Sequence, residues 1–200
     1  MRFSRTTTVV TLFLLLLVTR ITPPLLLKVF GNGFQMHGLQ YLWNFSPLWG
    51  TCLFCGAMFR NRALAFGVPL AAQFVGDAFY WGLSGDLTQG FGMVQFLNYI
   101  LVACCIIAGM TLSRTPSPSR LMATGTITAV GYFVASNLLM WALTPWYAHT
   151  LEGLTECFVM AVPFFPTTVA STLVYSYGLF AILGRAEEPA DSLEETAAPV

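Results

Sequence analysis

An all-α integral membrane bundle of about six transmembrane helices, with both termini cytoplasmic, is the fold class this sequence predicts. Three observations point there. Hydrophobic residues make up 56% of the chain and charged residues only 9%, against about 25% charged in soluble domains. The apolar runs are continuous and include leucine blocks such as Leu14-Leu-Leu-Leu17, whereas a membrane barrel needs alternating segments of about ten residues. Finally, basic residues fall in alternate loops, as the positive-inside rule requires. The 200 residues leave room for about six crossings of roughly 20 residues each, and none for a soluble catalytic domain.

In order, the apolar segments are Thr6 to Ile21, Pro47 to Phe59, Ala63 to Gly82, Gly92 to Leu112, Leu121 to Leu143 and Thr168 to Leu183. The first follows Arg2 and Arg5 and has the outline of a signal peptide, but Thr19-Arg20-Ile21-Thr22-Pro23-Pro24 stands where a small-residue cleavage site would be. A retained helix is expected. The second opens on Ser46 as N-cap and Pro47 as first helical residue. At about 13 residues, or about 20 Å, it is too short to span. Either its positive N-terminal end lies below the outer surface, as in interrupted transporter helices, or a loop simply dips to meet a short helix. The small-residue pairs Gly67/Ala71, Ala72/Gly76 and Gly131/Ala135 predict close packing of the third and fifth segments. Leu151 to Phe165 reads as an amphipathic piece on the outer interface, a candidate lid, with Glu152 and Glu156 on its wet side. Residues 1–184 thus form the membrane domain, and 185–200 a disordered acidic cytoplasmic tail.

Orientation follows from charge. With the N-terminus inside, Arg2, Arg5, Arg60, Arg62, Arg114, Arg120 and Arg185 are cytoplasmic, while Arg20, Lys28, Asp86, Glu152 and Glu156 face outward. This describes a multi-pass protein of the cell (inner) membrane, with the lipid bilayer as its first partner.

Asp77 is the candidate functional centre, because an ionisable group at membrane depth marks a functional site by default. Arg20 lies at similar depth on the first segment. A static ion pair, the polar floor of a ligand pocket and proton coupling through Asp77 all remain open. Gln73 lies four residues before Asp77 on the same face, and Asn137 and Trp141 share a face of the fifth segment. The two faces either line one cavity or supply interhelical hydrogen bonds. The five tryptophans, at Trp43, Trp49, Trp81, Trp141 and Trp146, crowd the outer ends, as an anchoring belt or an aromatic vestibule. Candidate ligand-binding residues are Arg20, Asn44, Gln73, Asp77, Trp81, Asn137 and Trp141.

Other chemistries find little support. Zero net charge excludes the basic footprint of a nucleic-acid binder. No phosphate-cradling glycine loop, metalloprotease helix or nucleophile and base at usable spacing occurs, so neither an enzyme nor a cofactor is expected. The five cysteines, with Cys52 and Cys55 inside an apolar helix, read as packing residues. His37 and His149 sit in outer loops, and no metal is expected.

Asn44-Phe-Ser-Pro47, the stretch from Pro69 to Asp77, Ser136-Asn137 with Trp141, and Glu156-Cys-Phe-Val-Met-Ala-Val-Pro-Phe-Phe165 resemble an uncharacterised family of small bacterial integral membrane proteins. The resemblance covers about Thr6 to Leu183. That family is similar in size and six-helix layout to the substrate-binding subunits of energy-coupling-factor vitamin transporters. This chain departs from the pattern in carrying Pro166-Thr167-Thr168 and Thr172 in place of an Arg-Asn-Thr and a following acidic residue. It also lacks the small-residue motif such subunits carry on their first helix. The resemblance implies capture or translocation of a vitamin-like or micronutrient-like small molecule through an outward-facing pocket, powered by a separate ATP-hydrolysing module. The alternative is a non-transport scaffold or assembly factor whose intramembrane charges are structural.

Overall fold

A computed structural model describes residues 4–30 and 44–184. These residues form α1 (Arg5–Phe30), α2 (Leu48–Met58), α3 (Arg62–Ser84), α4 (Leu87–Phe91), α5 (Met93–Gly109), α6 (Pro118–Leu143), α7 (Leu151–Ala161) and α8 (Phe165–Ile182). A 3-10 turn at Val162–Phe164 joins the last two. Among the described residues there is no strand. The expected tail at 185–200, together with Trp43 and His37, lies outside them.

Short polar side chains start these helices by accepting backbone N–H groups that the first turn leaves unpaired. Asn61 Oδ1 accepts from Ala63 N at 2.9 Å, Ser117 Oγ from Arg120 N at 3.3 Å, and Thr150 Oγ1 from Gly153 N at 3.2 Å. Ser46 Oγ accepts from Leu48 N at 3.3 Å, but the N-cap falls on Pro47 and the helix starts at Leu48, each one residue later than expected. Between α7 and α8, Pro163 and Pro166 each remove a ladder donor, and the chain tightens into a 3-10 turn instead of breaking.

One helix end differs from expectation. The first segment was expected to stop at Ile21, yet α1 continues through Pro23 and Pro24 to Phe30. The two prolines leave the carbonyls of Thr19 and Arg20 without their usual helical donors. A backbone interrupted in this way at membrane depth persists where protein or a cavity lies beside it.

A helix of only 11 residues, α2, is the best buried. In α2, residues Trp49 to Gly56 and Met58 are all buried, and Cys52, Leu53, Phe54, Cys55 and Met58 form the middle of the core with Leu12, Val102, Ile106, Leu121 and Leu179. Helices α3, α5, α6 and α8 surround it. Gly56 and Gly109 permit the α2–α5 crossing, since a methyl on the first would strike Ile106 O and on the second Leu53 O. Four of the five cysteines, Cys52, Cys55, Cys105 and Cys157, are buried packing residues.

The small-residue spacing misjudged a different contact. Gly67 and Gly131 face open space. The main neighbours of α3 are α1, α2, α4 and α5, and those of α6 are α5, α7 and α8. Small residues permit close approach but do not choose the partner; here α1 takes the face of α3 that carries Gly76.

Helices α1 and α3 run in the same direction, because Arg20 bonds Asp77 and Lys28 Nζ reaches Leu83 O at 3.4 Å. Helix α2 runs opposite to them and parallel to α5 and α8, with Trp49 beside Cys105 and Phe54 beside Phe180. Arg114 Nη2 donates to Met58 O at 3.5 Å and Arg120 Nη2 to Thr111 O at 2.7 Å. The basic loop residues Arg60, Arg62, Arg114 and Arg120 therefore gather at one end of the bundle, and Asp86, Glu152 and Glu156 at the other.

Among the described residues, four helical stretches are long and apolar enough to cross a membrane: α1, α3, α6 and the continuous Leu151–Ile182. This is fewer than the six expected. Helix α5 has 17 residues and α2 only 11, the latter about 16 Å against a hydrocarbon core of about 30 Å. Large apolar side chains are turned outward at helical spacing, Val10, Leu14 and Val18 on α1 and Ile127, Val130, Val134 and Leu138 on α6. Apolar stripes of this extent are covered by lipid or by another protein.

Candidate functional site

Asp77 lies about two turns before the end of α3, with its side chain fully buried. An isolated buried carboxylate is costly, so it requires several partners. Oδ1 accepts from Arg20 Nε at 3.2 Å and also from Arg20 Nη2, while Oδ2 accepts from Tyr99 Oη at 2.7 Å and from Gln73 Nε2 at 3.5 Å. Three helices, α1, α3 and α5, thus converge on one carboxylate. The missing side chain of Gly76 makes the reach possible, because a methyl there would run into Arg20 Cγ.

Arg20 belongs to two environments. Its Nε and Nη2 engage Asp77, yet 37% of its side chain is exposed, and it borders a cavity of about 620 Å³. That volume is within the range of small-molecule sites, roughly 300–1,000 Å³. Thr19, Thr22 and Pro23 continue the α1 wall beside Arg20, at the stretch where the prolines interrupt the ladder. Asn44, Ser46 and Trp49 contribute the approach to α2 and its first turn, with Gly76 and Tyr80 from α3. Gln95, Tyr132 and Thr168 bring in α5, α6 and α8.

Several contacts hold these walls in place. Ser171 Oγ on α8 donates to Asn44 O at 3.2 Å. The rings of Trp49 and Tyr132 pack with centroids 4.2 Å apart and planes 40° apart, a tilted aromatic pair. The cavity wall is consequently part aromatic and part polar.

The residues expected to bind a ligand are divided by the structure. Arg20 and Asn44 line the cavity. Asp77 and Gln73 are buried directly behind Arg20 and bond each other as their spacing predicts. Trp81 is half-exposed against Phe91 of α4, with centroids 6.2 Å apart, and is not part of the wall. Asn137 Nδ2 donates to Phe133 O on its own helix at 2.7 Å, and Cys157 Sγ approaches Asn137 O at 3.5 Å. Trp141 Nε1 donates to Ala148 O at 2.8 Å, its ring edge-on to His149. The second pair therefore fastens the α6–α7 turn, and of the two alternatives for the two faces, one shared cavity or hydrogen bonding, this face takes the second.

Several wall or network residues were not singled out from the sequence, Tyr99 and Tyr132 among them. Tyr99 carried a weak signal, since it lies four residues after Gln95 on one helical face. Tyr132 carried none beyond being aromatic. The tryptophans also split: Trp49 is in the cavity wall, and Trp146 is 74% exposed.

No curated protein and no solved structure matches this chain, so the likeness in layout to vitamin-transporter subunits gains no support from either. Its relatives lie in a family that has itself been given no function. A model of that family matches residues 2–193, and the chain belongs to it: the Family of unknown function (DUF6580).

Proposed function

We propose that this chain is a multi-pass protein of the cell (inner) membrane, crossing about six times with both termini cytoplasmic, that captures or translocates a small molecule through the cavity beside Arg20. The observation that carries the reading is the cavity itself: about 620 Å³, part polar and part aromatic, and bordered by a charged side chain whose counterion is buried behind it. Sites for small molecules combine an apolar body with a few placed polar groups in this way. The gathering of Arg60, Arg62, Arg114 and Arg120 at one end supports that end as cytoplasmic. Translocation against a gradient would draw on a separate ATP-hydrolysing module, because no nucleotide-binding motif is present in the sequence.

The test is a thermal-shift screen of vitamins, cofactors and metabolites on purified protein, with Asn44→Trp as the control. That substitution adds bulk at the wall and leaves the main-chain carbonyl that bonds Ser171. A ligand at about 100 times its Kd stabilises the native state by about 2.7 kcal/mol. A compound that raises the Tm of the wild type but not of the folded Asn44→Trp variant is expected. If no compound of any kind shifts the wild type, the reading fails.

One observation favours a second reading, a scaffold or assembly factor. Both oxygens of Asp77 are already bonded by protein donors, which is what a static lock between α1, α3 and α5 requires.

A further inference from the structure

We infer that the ligand of this cavity is a small organic acid, its carboxylate held by the edge of Arg20 that Asp77 leaves unengaged and its apolar or planar body lying along the Trp49 and Tyr132 wall. The inference rests on the small-molecule reading above and adds the chemical class.

The sign of the site decides the class. Among the described residues lining the cavity, Arg20 is the one ionised side chain, and none is an aspartate or glutamate. Asp77 balances the charge of Arg20 from the far side but is fully buried, so the pair presents its positive end to the cavity. A guanidinium has five N–H donors in a fixed fork. The bonds from Nε and Nη2 to Oδ1 use two of them, and among the described residues Nη1 bonds no acceptor. The unused edge matches a carboxylate.

A second element has the same sign. The first turn of α2, with Leu48 and Trp49, borders the same cavity, and a helix N-terminus carries positive partial charge. Asn44, Ser46 and Gln95 offer neutral polar groups around it. A cation would be repelled from both features, and a neutral acceptor would meet the guanidinium edge without the charge assistance and two-oxygen fit that a carboxylate brings. The volume of about 620 Å³ suits a compact metabolite. The anionic headgroup of a lipid offers Arg20 similar oxyanion chemistry, and the test separates the two sources.

The experiment uses the full chain in phosphatidylcholine nanodiscs and a library of organic acids, each beside its neutral primary amide, with Tm as the reading. At least one acid should raise Tm where its amide does not. In the double variant Arg20→Gln with Asp77→Asn, neutral amides replace both charges and no lone charge remains buried. Its affinity for that acid should fall by at least about tenfold. Arg20→Lys keeps the charge and loses the fork, and should weaken the acid in a background that retains an ion pair. An acid that binds either variant as tightly as it binds the wild type overturns the role of Arg20. Neutral or cationic compounds that bind the wild type while acids do not overturn the organic-acid class and leave the small-molecule function standing. A shift produced only when phosphatidylglycerol replaces part of the phosphatidylcholine, with no soluble acid acting, assigns the cavity to a lipid headgroup and overturns the inference. Absence of any shift from any compound overturns both this inference and the function on which it rests.

Discussion

Two polar pairs at the same four-residue spacing, Gln73/Asp77 on α3 and Asn137/Trp141 on α6, look equivalent as patterns and behave differently in the fold. Asp77 draws donors from two other helices, Arg20 on α1 and Tyr99 on α5. Asn137 turns back to Phe133 O on its own helix, and Trp141 donates to Ala148 O only seven residues along. The cause is the difference between a charge and an amide. A buried carboxylate has only acceptor oxygens, its own helix has no spare backbone N–H in mid-span, and the one side-chain donor on that helix, Gln73, is at 3.5 Å, so it must recruit further donors from elsewhere. A carboxamide carries its own donor and can satisfy it on the carbonyl one turn back. Charge organises tertiary structure here, whereas the amide fastens a local turn.

Substitutions can break that contrast, and the largest effect is expected at Arg20. Arg20→Ala leaves Asp77 buried without its cation, and such a loss costs about 3–5 kcal/mol. Adding Asp77→Asn to Arg20→Ala should restore a large part of it, measured as unfolding midpoints in detergent. An unchanged midpoint for Arg20→Ala would show that the pair does not hold α1 to α3.

A smaller effect is expected at Gly76. The methyl of Gly76→Ala meets the Arg20 side chain, and overpacking of this kind costs about 1–3 kcal/mol. Gly67→Ala, on the same helix but facing open space, should lose nothing. Equal midpoints for the two variants would refute the close approach of α1 to Gly76.

The smallest effect belongs to the α6 pair. Asn137→Leu removes the bond to Phe133 O within α6 and a long contact from Cys157 Sγ on α7 to Asn137 Oδ1 at 3.8 Å, and polar contacts in membrane bundles average about 0.6 kcal/mol. A loss as large as that of Arg20→Ala would erase the distinction between the two regions.

Much of this was legible in the chain because it depends on properties that are local or additive. Apolar run length located the main helices, since each residue in lipid contributes independently to burial. Asp77 stood out because a charge in an apolar run is costly wherever it is placed, and the face it shares with Gln73 follows from helical geometry alone. Ser46, Asn61, Ser117 and Thr150 act on backbone groups two or three residues away, so helix starts are also short-range facts.

Only the tertiary structure decided which helix meets which. It put α2 at the centre, extended α1 through Pro23 and Pro24, and chose α1 rather than α6 as the partner of the Gly76 face. It joined Tyr99 to Asp77, left Asn137 and Trp141 outside the cavity, and made a wall from Trp49 and Tyr132. Those outcomes depend on packing between segments far apart in the chain, where many pairings offer similar apolar area and the choice rests on shape and on the need of one buried carboxylate for several donors.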